Sequence, residues 1–186
     1  MSGKFKEKKM LCTTLNKIRA HSPFESDWKK LLAHLGKNQA DDEPLPFATI
    51  LDSNGLDEAL WCCRSAPEYD KEWRLFAVWC ARQVQHLMTD QRSIDALDVA
   101  ERYANGEATK AEFKAAGEAA CAAGGSAAGE AAWAAAGEAA GEAAGAAAGS
   151  AAGSAAWTAA WTAAGATAWA DAWTAQETEF LRIVGE

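Results

Sequence analysis

The stretch Gly117–Trp173, GEAACAAGGSAAGEAAWAAAGEAAGEAAGAAAGSAAGSAAWTAAWTAAGATAWADAW, repeats on a period of four. Its lead positions are Gly or Trp almost throughout, running from Gly117 and Cys121 through Gly125, Gly129 and Trp133 to Gly165, Trp169 and Trp173. The residues between are nearly all Ala, Glu, Ser or Thr. Alanine has the highest helix propensity of any residue, so the segment reads as helix and as scaffold. Ten glycines between 117 and 165, at ~1 kcal/mol each relative to alanine, oppose that helix by on the order of 10 kcal/mol. Close backbone packing must offset the penalty, and small residues every four positions permit it.

Two arrangements satisfy this requirement. One is a single long helix, whose stripe of lead positions drifts ~40° per repeat against a turn of 3.6 residues. The other is an antiparallel helical hairpin folded about Gly149, with residue n facing residue 298 − n. Trp133 then meets Gly165, Trp157 meets Gly141, Trp161 meets Gly137, Trp169 meets Gly129 and Trp173 meets Gly125. Large side chains then seat against small ones, as a core requires.

Working outward, all four prolines (Pro23, Pro44, Pro46, Pro67) lie in the first 67 residues, and nothing after them forbids helix. Period-2 runs of strand formers are absent, so no sheet is expected. The expected fold class is therefore all-α: a helical bundle over about residues 10–115 continuing into the Ala/Gly/Trp-rich helix or hairpin. The composition changes near residue 114, which divides the chain into a 1–114 bundle domain and a 115–186 repeat segment packed on the bundle or on another subunit.

Within the bundle, Ser22-Pro23-Phe24-Glu25 reads as a capped helix start, with Gly36 as its stop. Residues 37–46 form a loop, Phe47–Leu51 a short helical turn, and Asp52-Ser53-Asn54-Gly55 a turn before a helix over 56–65. The segment 68–88 is the central helix. Trp73, Phe76, Ala77, Cys80, Val84 and Leu87 share one stripe, and Leu75, Val78 and Trp79 lie opposite. A helix follows over 93–104, closed by Asn105-Gly106. Thr109-Lys110-Ala111-Glu112 is a capping box that opens the helix leading into the repeat.

Charge separates function classes. Residues 1–114 hold 17 Lys/Arg against 18 Asp/Glu, whereas residues 115–186 hold Arg182 against eight acids, giving −1 and −7 and the total of −8. A nucleic-acid groove needs cations that neutralise phosphates, so a nucleic-acid polymer is excluded as a partner of the repeat. Lys4, Lys6, Lys8 and Lys9 read as a solvated tail. Five cysteines without a CxxC pair, and no signal-peptide h-region, point to free thiols in a reducing cytoplasm. Alanine and glycine are too weakly apolar, and Glu130, Glu138 and Glu142 too polar, for a membrane span.

Catalytic constellations are missing. His21, His34 and His86 stand beside no nucleophile and complete no metal-ligand spacing. Neighbouring Cys62 and Cys63 point ~100° apart on a helix and cannot share a metal well. No catalytic residue, metal or cofactor is therefore assigned. The one group with recognition character is Trp79, Arg82 and His86, at i, i+3 and i+7, with Arg74 and Arg64 nearby and Arg92 after the helix. An aromatic ring with arginine and histidine can hold an anion or a nucleotide base. The competing reading pairs Arg82 with Asp95 or Asp98 and makes Trp79 second-layer core.

The runs LNKIRAHSP (15–23), DSNGLDEALWC (52–62), RLFAVWCARQVQHLMTDQRS (74–93) and ALDVAERYANGEAT (96–109) precede an Ala/Trp-rich tail. Together they resemble a family of immunity proteins of bacteria and phages, closely over about residues 11–115 and in style only over the tail. Family tails carry many Arg or Asp residues at the lead positions, and this chain departs from that pattern with glycine. The resemblance implies a non-enzymatic protein that neutralises a toxin by binding it, and with the cytoplasmic reading of the cysteines the expected partner is a protein toxin or effector. It supplies no binding residues to carry over. The Trp79/Arg82/His86 group keeps a second reading open, a phage anti-defence sponge for a small anionic nucleotide signal such as a cyclic ADP-ribose or cyclic dinucleotide. That reading would favour a homo-oligomer, for which the Ala/Gly helix offers an interface.

Overall fold

The structure is a computed structural model that describes residues 10–122 and 166–185. The fold-back about Gly149 and the lead positions between 123 and 165 lie outside the described residues. The fold is predominantly all-α, as the sequence implies. Eight α-helices occur among the described residues: α1 Leu15–Ala20, α2 Glu25–His34, α3 Phe47–Asn54, α4 Leu56–Cys62, α5 Asp70–Gln83, α6 Gln91–Ala104, α7 Lys110–Ala122 and α8 Ala166–Val184.

The absence of sheet needs one correction. Cys12–Thr13 (β1) pairs antiparallel with Leu45–Pro46 (β2), Cys12 opposite Pro46 and Thr13 opposite Leu45. Two-residue strands are too short to display a period-2 pattern, which is why the sequence hides them. The ladder nevertheless ties distant segments together. Phe47 N–H donates to Leu11 O at 3.1 Å, and Leu11 N–H donates to Val184 O at 2.8 Å. Thr13 Oγ1 lies 2.7 Å from Ser65 Oγ, a buried hydroxyl pair across 52 residues of chain.

Helix boundaries follow local chemistry, with three departures. Ser22 does not cap α2. Its φ of +56° is left-handed, its N–H bonds Arg19 O, and His21 N–H bonds Ile18 O. Ser22 therefore finishes α1, and Phe24 takes the cap position of α2 without a side-chain bond. The turn expected at 52–55 is instead the end of α3, because the Asn54 amide donates to Asp27 O at 2.9 Å and anchors the last turn. Gly55, at φ +92°, makes the joint to α4 that a side chain would strain. The central helix is shorter than 68–88 and is bracketed by 3-10 turns at Pro67–Tyr69 and Gln85–Leu87. The register breaks at Val84, so Leu87 leaves the stripe and is exposed.

Other signals are borne out. Gly36 follows α2 in the left-handed region, and Gly106 does so after α6. The capping box closes in both directions: Glu112 N–H donates to Thr109 Oγ1 at 3.2 Å, and Thr109 N–H donates to Glu112 Oε2 at 2.7 Å. The same bonds from Thr109 hold the Glu112 carboxyl below its ordinary range. Trp73, Phe76, Ala77, Cys80 and Val84 are buried as the stripe predicts.

The core centres on four aromatic rings drawn from three segments. Phe180 of α8 stacks on Trp73 (6.1 Å between centroids, 18°) and meets Phe76 and Phe47 edge-on at 5.7 and 6.5 Å. Trp73 also meets Phe47 edge-on at 4.9 Å and donates its indole N–H to Ala66 O. Phe180 and Val184 are fully buried. The boundary drawn at 114/115 falls inside α7, whose buried stripe of Phe113, Gly117 and Ala120 faces α6. Tyr103 stacks on Phe113 at 4.5 Å and 7°. Both described ends of the 115–186 segment thus belong to the bundle. No helix among the described residues is long and apolar enough to cross a membrane.

Two variants test this packing. Phe180→Ala should lower unfolding stability by ~3–5 kcal/mol in urea titration, as expected for a buried ring whose space cannot collapse. A loss under 1 kcal/mol would mean α8 is not core. Thr109→Ala, which opens the capping box, should cost about 1 kcal/mol on the same assay.

Candidate functional site

Phe180 and Val184 face the core, so the α8 residues one step earlier, Glu179 and Ile183, are turned toward the seam with α5. Two adjoining hollows of about 460 Å³ each open there and share Trp79 and Glu179. The first is floored by Leu75, Val78, Trp79 and Ile183 and rimmed by Glu72, Arg82, Glu101, Glu179 and Arg182. The second is closed by Asp171, Thr174, Ala175 and Thr178. Thr174 and Thr178 donate their hydroxyls to the carbonyls of Ala170 and Thr174 at 2.9 and 2.8 Å. Satisfying the hydroxyls within the helix leaves the methyl groups as the apolar part of these side chains.

Both arginines of the rim are held by acids. Arg82 Nη2 bonds Asp98 Oδ1 at 2.9 Å and Glu101 Oε2 at 2.6 Å, and its Nη1 bonds Gln85 Oε1 at 2.9 Å. Burial works to lower the Arg82 pKa, but these carboxylates outweigh it and raise the value. Arg182 grips Glu179 through two bonds of 2.6 Å, which raise its pKa as well. Asp95, the other acid considered for Arg82, instead accepts from Gln91 Nε2.

The structure brings together part of the group singled out in the sequence. Trp79 is half-buried, stacked on Phe76, and lines both hollows; Arg82 lines the first. His86 falls on the exposed 3-10 turn beyond α5, where the i+7 spacing no longer applies, and lines neither hollow. Arg74 points into a different part of the bundle. Its Nε bonds Asp70 at 2.8 Å, and its guanidinium lies over Tyr103 and Phe113 at 5.2 and 5.1 Å. Arg64 folds over its own neighbour Trp61 at 4.3 Å and donates to Trp61 O. Arg92 is exposed and clasps Asp90 through two side-chain bonds.

The α8 half of the site, and Glu72 on α5, were missed by reasoning from sequence. The legible signal was Phe180 and Val184 at i, i+4, which fixes which face of α8 is buried and hence where Glu179, Arg182 and Ile183 must lie.

Three of the five cysteines are core residues. Burial pushes the Cys62, Cys63 and Cys80 thiols well above their ordinary range, so at neutral pH they are protonated core fillers. Burial likewise raises the carboxyls of Asp57 and Glu58 at the start of α4. Among the described residues no cluster of three His, Cys, Asp or Glu is placed to hold a metal ion. No protein-family model, curated protein or solved structure matches the chain.

Two predictions follow from the arginine partners. The Asp90 carboxyl accepts from the Arg92 side chain and from Arg92 N–H at the start of α6, and these bonds depress its pKa to about 2. A depressed carboxylate stabilises above its ordinary range and loses that contribution as pH falls through the folded value. Carbon-detected NMR should therefore place the Asp90 midpoint near 2, with α6 amides fraying first below pH 4; an ordinary midpoint would contradict the clasp. Arg74→Ala should destabilise by ~3–5 kcal/mol, and Arg74→Met by a similar amount, because each strands the Asp70 carboxylate. A markedly smaller loss in Arg74→Met would show that volume, not charge, matters there.

Proposed function

We propose that this protein is a non-catalytic binding protein of the cytoplasm that neutralises a protein toxin or effector, in the manner of an immunity-type inhibitor. The observation that carries this reading is the state of Arg82. It lies at the hollow nearest to a ligand site, and Asp98 and Glu101 already occupy its guanidinium. An anionic nucleotide would have to displace two carboxylates and then approach Glu72 and Glu179, so a polypeptide complements this surface better. The resemblance over residues 11–115 to the immunity-protein family supports the same class.

A sponge for cyclic ADP-ribose or cyclic dinucleotide signals is the competing reading, and one pair of assays separates the two. Co-expression with candidate toxins encoded by neighbouring genes should restore growth against at least one of them. Equilibrium dialysis against 3′-cyclic ADP-ribose and cyclic dinucleotides should show no retention. Retention followed by intact release on denaturation would replace the proposal with a sponge, and a chemically altered nucleotide would replace it with an enzyme.

A further inference from the structure

We infer that the seam between α5 and α8 is the partner-binding surface, and that its occupant is a basic amphipathic helix of the neutralised protein, with an apolar side chain seated against Trp79. This inference rests on the binding-protein reading above and names the site and the partner's chemistry.

Three observations point to that occupant. The floor is apolar: Leu75, Trp79 and Ile183 are each partly exposed there, and Thr174 and Thr178 have satisfied their own hydroxyls. The rim is acidic. Glu72, Glu101, Asp171 and Glu179 set four carboxylates against Arg82 and Arg182, an excess of two negative charges. The surface is also elongated along helices. From Asp171 to Ile183, α8 advances about 18 Å at 1.5 Å per residue, the length of roughly three helical turns. A helix laid in a groove buries anchors at i, i+3, i+4 and i+7 while its flanks stay polar. Lysines or arginines on those flanks would meet Glu72 at one place and Asp171 at another, neither of which is tied up by either rim arginine.

A cationic partner also fits the proposed role. A toxin that acts on nucleic acid must carry cations that neutralise phosphates, and an acidic groove competes for those same groups.

The test uses the full chain and a labelled synthetic helix of fourteen residues, with leucines at i, i+3, i+4 and i+7 and lysines elsewhere. Fluorescence anisotropy should show saturable binding, and amide shifts should map it to α5 and α8. A scrambled peptide of the same composition should bind at least about tenfold more weakly, because it keeps the charge and loses the stripe. The double variant Glu72→Lys/Asp171→Lys should weaken binding by about tenfold or more, with circular dichroism unchanged. Trp79→Ala should weaken it too, with recovery in Trp79→Phe. Equal binding of the scrambled peptide, insensitivity to charge reversal, or shifts confined to other helices would overturn the assignment. Sedimentation showing a dimer that the charge reversal dissociates would make the occupant a second copy and would overturn it as well. The two proposals fail separately. If the charge-reversed variant still rescues cells from the toxin, the groove is wrong and the neutralising role stands. If the unaltered chain rescues nothing yet binds the helix at the seam, the role is wrong and the groove stands.

Discussion

Phe180 sits in contact with Trp73, Phe76 and Phe47, and the docking of α8 on α3 and α5 depends on that ring. Aromatic side chains bury more area than any others, and edge-on and offset contacts add to that burial. Placing one such ring from α8 into a pocket built by α3 and α5 joins segments more than a hundred residues apart. The backbone bond from Leu11 to Val184 completes the join, and Phe47, adjoining β2, bonds back to Leu11. A helix that would otherwise be an Ala-rich appendage thus becomes a wall of the core.

The candidate site is a consequence of that docking. Once Phe180 and Val184 are committed inward, helical geometry turns Glu179, Arg182 and Ile183 toward α5, where they meet Glu72, Leu75, Trp79 and Arg82. The electrostatics then follow from neighbours. Arg82 faces Asp98 and Glu101 on α6, and a guanidinium flanked by two acids has its charge answered before any ligand arrives. Arginine alone in a sequence reads as an anion receptor. Arginine between carboxylates is part of the wall.

The buried charge at Arg74 shows the same dependence on surroundings. A guanidinium with little access to water is tolerated where a carboxylate and aromatic faces replace its hydration. Asp70 supplies the first, and Tyr103 and Phe113 the second. None of these partners is adjacent in sequence except Asp70, one turn earlier. The spacing that placed Arg74 near Trp79 in a linear reading therefore said nothing of the side it would face.

Local signals were decipherable wherever a few neighbouring residues settle the outcome. The Thr109/Glu112 box, the glycines at 36 and 106, the acids opening α4 and the buried stripe of α5 all depend on interactions within a turn or two, and each appears in the fold. Ser22 was misread because two local roles compete for it, closing α1 or opening α2, and the choice turns on which carbonyl its N–H meets. The two-residue ladder, the docking of Phe180 and the pairing of Arg82 involve partners far along the chain, and periodicity carries no information about them. Sequence by itself determined that the protein is helical, that Gly36 and Gly106 end helices and Thr109 opens one, and that Trp73, Phe76 and Cys80 share a buried stripe. Tertiary structure alone decided that α8 closes the core and that the arginines are answered by acids, because both depend on which faces meet across long chain separations.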